Sequence, residues 1–477
     1  MEDAASPLAE APGGRRSSLR VFAGGDWETV SDRIARIGFG WYQVQCFALS
    51  CGFIVAESAE LSMSAGVVNC VGHEFQLSAG TQRCSLMTAT YAGLALGMLI
   101  AGPLGDRCGR RLPLLVSSVG IPLTALLTLL FSFDLWIIYC FRFAIGTFAG
   151  IGVPVAIIIV SEVTPKQSRG AAIAAMAIAW VIGDLFAATG LQLMAPSLRR
   201  GPWRKLVLWA AGPSLKILIA GFLSPVTRLD TAHWLGSQGR DDDMVSALNL
   251  MAEQNGRPEL RLQDCKVCMG GAANDQSQSE ALSQLTSGPL LIFTVAQCVL
   301  WFAKDFALFG AHVFWPLAWA RAVPLDRLEP ATELVGTALL GIPGVAMSIW
   351  LVQLLPRRIA LALAAALCAL ACRALADLDA GGPLGIAGVV VFKLFCPTWQ
   401  MVTMLLPAEI FPTEIKARGY ALVAFVGKLA TLAAPATVGL SHAAFLGATA
   451  ALGLLSAAAV FALPETKGAE LTDAAAA

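Results

Sequence analysis

Charge is what this sequence has least of. Lys, Arg, Asp and Glu make up 14% of 477 residues, against 56% hydrophobic residues and a mean hydropathy of +0.68, where soluble domains carry about 25% charged residues. That shortage excludes a water-soluble globular fold and describes an integral membrane protein. The 33 basic and 33 acidic residues cancel, so no excess of either sign points to nucleic acid. No Gly-x-x-x-x-Gly-Lys-Ser/Thr loop is present to cradle phosphates, which argues against ATP as an energy source. No catalytic nucleophile, metal cluster or cofactor motif is found, so an enzyme is not expected.

Twelve cysteines are present, but most lie in apolar runs, where they act as small hydrophobes. Cys70 and Cys84 flank what reads as one short polar loop, and a bridge or two free thiols remain open there. Cys265-x-x-Cys268 has no second ligand pair nearby, which argues against a metal site. The first forty residues carry Arg15, Arg16, Arg20, Arg33 and Arg36 without a short apolar core, so they read as a retained tail and not a signal peptide.

Spanning a bilayer takes about twenty mainly apolar residues. Candidates fall near 41–65, 84–104, 112–132, 134–160, 171–194, 206–223, 289–319, 332–355, 359–376, 383–407, 419–440 and 443–463. The expected fold is therefore an all-α membrane protein of twelve helices in two six-helix bundles. Its domains are a tail (1–40), a first bundle (41–223), a polar linker (224–288), a second bundle (289–463) and a closing tail (464–477). Within the linker, Met244–Glu253 reads as a short amphipathic helix. Lys and Arg favour the loops that face the cytoplasm if both termini and the linker lie there.

The two halves repeat each other. Arg142 precedes Ser161-Glu-Val-Thr-Pro165 and Arg169, while Lys393 precedes Ala408-Glu-Ile-Phe-Pro412 and Arg418 at similar offsets. After the second helix stands Gly102-Pro-Leu-Gly-Asp106-Arg107-Cys-Gly109-Arg110-Arg111, with glycines for a tight turn and close helix approach and an acid placed among arginines.

These motifs resemble the major facilitator superfamily, whose loop between helices 2 and 3 acts as a charge latch. Pro464-Glu-Thr-Lys-Gly468 resembles the closing motif of sugar porters and organic ion transporters. Ile37-Gly-Phe-Gly-Trp41-Tyr-Gln43 leading to Glu57-Ser-Ala-Glu60, with Gly341-Ile-Pro-Gly344 and Asn255-Gly256, looks most like the synaptic vesicle 2-related proteins. The resemblance implies alternating access to a midplane site between two related bundles. It assigns gating to Gly102, Asp106, Arg107, Gly109, Arg110, Arg111, Glu162, Arg169, Glu409 and Arg418. Departures are visible too. The segment after helix 6 reads Ser224-Pro-Val-Thr-Arg228, and the second latch, Leu351-Val-Gln-Leu-Leu-Pro-Arg-Arg358, has lost its acid and glycine, so weaker or differently wired gating is expected in the second half.

An ionisable residue in hydrocarbon costs about 2.5–3.5 kcal/mol even on lenient scales, so each needs a partner or a task. Glu57 and Arg142 are expected at one depth, with Glu60 a turn nearer the outer rim on the same face. Glu57 with Arg142 reads as a structural salt bridge, as a proton-coupling site whose titration shifts on opening and closing, or as a direct binder of a cation, with Glu60 as its modulator or a residue idle at the rim. Asp184 is expected to face Arg142 or helix 8. Lys304 and Asp305 point about 100° apart, and Lys393 and Lys428 either meet a substrate anion or pair with Asp305 or a carbonyl. Trp301, Phe302, Phe306, Trp315 and Trp399 line a cavity or pack, and His312 and His442 read as packing residues.

The functional expectation is a monomeric secondary active transporter of a small organic ion, with protons as candidate partners, in a plasma or vesicle membrane. A sugar or polyol transporter and a non-transporting membrane sensor are the alternatives.

Overall fold

The computed structural model describes residues 19–23, 26–77, 80–258, 267–269, 288–321, 329–377, 382–411 and 416–467. Among these are twelve helices long and apolar enough to cross a membrane. Spans 1 to 6 are Trp41–Glu74, Gly80–Cys108, Arg111–Phe131, Leu135–Val163, Arg169–Met194 and Trp203–Leu223. Spans 7 to 12 are Leu290–Arg321, Pro330–Leu354, Arg357–Leu375, Pro383–Pro407, Gly419–Leu440 and His442–Ala462. We call the side carrying the segment between spans 6 and 7 the linker face and the other side the far face.

Span 1 runs nine residues past the apolar window that ends at residue 65, so Cys70 lies inside it and not in a loop. The helix persists because it packs: a Cβ on Gly66 would lie 2.3 Å from Leu191 of span 5. Cys70 and Cys84 are buried free thiols. Spans 5, 6 and 8 each break once, at Met176, Ala211 and Leu340. Pro213 and Pro343 follow the last two breaks, where the ring removes a helical donor.

Spans 2 and 4 touch backbone to backbone. A Cβ on Gly93 or Gly146 would sit 2.0 Å from a carbonyl oxygen of the other helix, Phe143 and Thr90 respectively. Glycine is required at such an approach, and it holds Arg142 against span 1.

The linker face is more ordered than a solvated tail and linker. A helix Val30–Ile37 packs with helices Ala232–Ser237 and Asp241–Gln254 around Ile34, Trp234 and Leu248. The amphipathic helix expected near Met244 is the last of these. Asn255 joins them to span 1, donating to Gly38 O and Gln43 Oε1 and accepting from Tyr42 N. Strands Leu19–Ala23, Asp26–Thr29 and Val267–Met269 form an antiparallel sheet with the first in the middle.

At the far face the halves meet. Arg199 donates through Nε and Nη2 to Ala320 O, Ala331 N to Pro196 O, and Gln192 Nε2 to Thr332 Oγ1 at 3.3 Å. Gly80 and Gly439 lie backbone against backbone there, which seals that side.

Candidate functional site

Glu57, Glu60 and Ser64 share one stripe of span 1 at i, i+3 and i+7. The stripe faces different partners along its length. Arg142 Nη1 donates to Ser64 Oγ at 2.8 Å and acts electrostatically on Glu60, not on Glu57 as expected from depth alone. Glu60 is no rim residue: it is 0% exposed, and both its carboxylate oxygens are buried with no hydrogen bond among the described residues. The helix is longer than its apolar window, which moves the far boundary outward and leaves Glu60 deep. Glu57 faces the second half, where Lys428 and Asp305 supply the neighbouring charges. One of its oxygens is buried and unbonded.

Asp184 of span 5 bonds to span 1 and not to Arg142, and it shares a cavity with Thr337 of span 8. Ser58 Oγ and Ser62 Oγ donate to its Oδ1 at 2.8 and 2.6 Å, and His312 Nδ1 of span 7 lies 3.7 Å away. Ser62 Oγ is 3.1 Å from the same Nδ1, while Trp180 Nε1 donates to His312 Nε2 at 3.3 Å. Since Nε2 accepts, this neutral imidazole carries its proton on Nδ1. His312, expected to be packing, thus ties the halves together. Its neighbour Phe309 packs edge-on against Tyr91 and Trp180, and Tyr91 Oη donates to Phe309 O.

Lys304, Asp305 and Lys428 form a buried trio on spans 7 and 11. Asp305 pairs with its neighbour Lys304 and, at 3.2 Å, with Lys428 Nζ. Both lysines also stand over rings, Lys304 4.0 Å from the Trp301 centroid and Lys428 4.7 Å from that of Phe309. Gly427 permits this approach, since a Cβ there would lie 2.5 Å from Asp305 Oδ2. Lys393, half-buried over Trp315, lines with Asp184, His312 and Thr337 a cavity of about 30 Å³, room for one water. His442 stacks edge-on with Phe314 and lies near Arg321 at the far face.

The linker-face turns repeat in both halves. In the first, Arg110 donates to Asp106, Gly105 O and Glu162, the last at 2.9 Å. Burial opposes its charge, but the Glu162 and Asp106 carboxylates outweigh it and raise its pKa. Asp230 Oδ1 accepts from the backbone N–H of Arg110 and Arg111, and Thr231 Oγ1 donates to Glu162. In the second half Glu465 accepts from the N–H of Arg357 and Arg358, Thr466 Oγ1 donates to Glu409, and Arg357 lies 3.6 Å from Glu409.

The second turn therefore keeps an acid, delivered from the far end of the half. Asp230-Thr231 and Glu465-Thr466 are the same device, an acid–threonine step after the last helix of each half. The signal in the sequence is the matching place of the two steps, each following the last helix of its half. Gly109, at φ +88° and 2.6 Å from the Asp230 carboxyl if it bore a Cβ, must be glycine. Gly102 has open space around it, and Arg107 is exposed. Arg169 acts electrostatically on Glu162. The side chain of Arg418 lies outside the described residues.

Twelve helices in two halves, buried charges of both signs and a charge cluster repeated at the linker-face turns belong to a membrane transporter of the major facilitator type, not an enzyme. The chain belongs to the family described as sugar (and other) transporters, which matches residues 50–477, within the branch that includes the synaptic vesicle 2-related and sugar porter-like proteins. It is similar to the niacin transporter NiaP of Acinetobacter baylyi, 24% identical over 353 residues, covering 74% of this chain and 77% of the relative. It is similar also to the rat synaptic vesicle 2-related protein, 23% identical over 472 residues and covering 93% and 82%. The partially occluded inward-open structure of the Escherichia coli xylose transporter XylE superposes with a TM-score of 0.70 at 16% identity, covering 90% of this chain and 99% of that one, which establishes the fold.

Proposed function

We propose that this secondary transporter carries a small organic ion together with protons, as a monomer with its linker face and both termini in the cytoplasm. The observation that carries the reading is the pair of buried carboxylates on span 1, each lacking a full set of hydrogen bonds and each opposite a different cation. Uncompensated charge at that depth is costly, so a carboxylate held this way is suited to taking and releasing a proton as the halves rock. Glu60 is matched by Arg142, which leaves Glu57 as the group whose charge depends on the state of the second half. The basic loops of the linker face support the orientation, and the niacin transporter among the relatives supports an organic ion as cargo.

Purified protein in liposomes provides the test: a pH gradient drives uptake, and Glu57→Gln abolishes the drive while leaving the fold intact. Uptake indifferent to the gradient overturns proton coupling, and ligand binding without flux favours a sensor. A sugar or polyol is the second reading. Gln297 on span 7 favours it, because among the described residues both its amide atoms are buried without a hydrogen-bond partner and suit a pair of hydroxyls; the family's description points the same way.

A further inference from the structure

The mid-depth trio does not balance by itself. Two ammonium groups, Lys304 and Lys428, flank the single carboxylate of Asp305, leaving one positive charge in the membrane interior. A buried charge needs a counter-charge close by. Glu57 is an acid whose charge and that of Lys428 act on each other, yet among the described residues it makes no ion pair within 4 Å and one of its oxygens is buried without a hydrogen bond. The trio is also uneven in exposure: Lys304 and Asp305 are 4% and 2% exposed, Lys428 14%. Lys428 is thus the member that meets open space, with the Phe309 ring beneath its ammonium.

From this geometry we infer that Lys428 docks an anionic group of the solute, a carboxylate, in place of the negative charge of Glu57, which must be protonated for the anion to bind. This rests on the transporter reading above and names its substrate class. With no solute, ionised Glu57 balances the trio and the site is neutral. With solute bound and Glu57 protonated, the carboxylate balances it and the site is neutral again. Either half-loaded form carries one unpaired charge across the midplane, which the bilayer penalises. Proton and anion therefore cross together, and no net charge moves. The charges that act on Glu57 are those of Lys428 of span 11 and Asp305 of span 7; Arg142 of span 4 acts on Glu60, and Asp184 of span 5 is engaged by Ser58, Ser62 and His312.

The experiment measures thermal stabilisation of the full chain in detergent by aliphatic, aromatic and heteroaromatic monocarboxylates and by their neutral amides, at pH 5.5 and 7.5. A carboxylate, and not its amide, is expected to bind, more tightly at the lower pH by up to about tenfold per pH unit for one linked proton. Lys428→Gln weakens that binding about tenfold or more, Lys428→Arg restores it, and Glu57→Gln binds equally at both pH values. A cooperative unliganded melting transition shows that each variant folds. Binding of amides or amines alone, no carboxylate response at pH 5.5, or an unchanged pH dependence in Glu57→Gln overturns the assignment. Proton-driven flux of a cation sinks it while the transporter reading survives; carboxylate binding without flux does the reverse.

Discussion

Arg142 shows how tightly one buried charge depends on its neighbours. Its guanidinium is held by Ser64 and faced by Glu60, so Arg142→Ala leaves an uncompensated acid at 0% exposure. A loss of about 3–5 kcal/mol is expected, read as a lowered melting temperature in detergent. Combining it with Glu60→Gln should recover much of that loss, because the stranded charge is gone. Glu465 offers a pH test outside the membrane. Burial pushes its carboxyl up, but the backbone N–H groups of Lys467, Arg357 and Arg358 outweigh this and hold it below the ordinary value. Its contribution is then present above the unfolded carboxyl's titration and lost as pH falls through the lower folded value. Hydrogen exchange at the start of span 9 should therefore differ between wild type and Glu465→Gln at neutral pH and converge only in acid. The acids and bases of this site stood out in the sequence as charges in apolar runs. His312 did not, because its value comes from Trp180 and Ser62, which lie far away along the chain.

Among the elements, spans 2 and 4 carry the sharpest demand. The carbonyl of Thr90 occupies the place where a side chain on Gly146 would begin, so Gly146→Val forces the helices apart. Overpacking of this kind costs about 1–3 kcal/mol or more and displaces Arg142 from Glu60. Melting temperature should fall and proton-driven uptake with it, whereas Gly102→Ala, in open space, should leave the melting temperature unchanged. Span lengths were legible as apolar windows, yet span 1 outran its window by nine residues. Packing against span 5 sustains a helix there that hydropathy alone does not mark.

For the whole molecule, the far face is the sealed side. Gln192 and Thr332 touch across the halves at 3.3 Å. Cysteines at these two positions, in a background with exposed Cys108 and Cys140 replaced, should be joined by a short bifunctional thiol reagent. The link is expected to abolish uptake while leaving solute binding from the linker face intact; unimpaired flux in the linked protein would mean that the halves do not separate there.

Sequence by itself determined the twelve helices, the duplicated halves and the basic latch turns, because bilayer thickness, hydropathy and turn chemistry act over neighbouring residues. Only the tertiary structure decided which acid meets which cation. Glu60 took Arg142, Glu57 was left facing Lys428, Asp184 met His312, and Asp230 and Glu465 matched as one device. Those choices depend on the rotation and depth at which each helix packs against helices far along the chain, and a difference of one turn exchanges one partner for another.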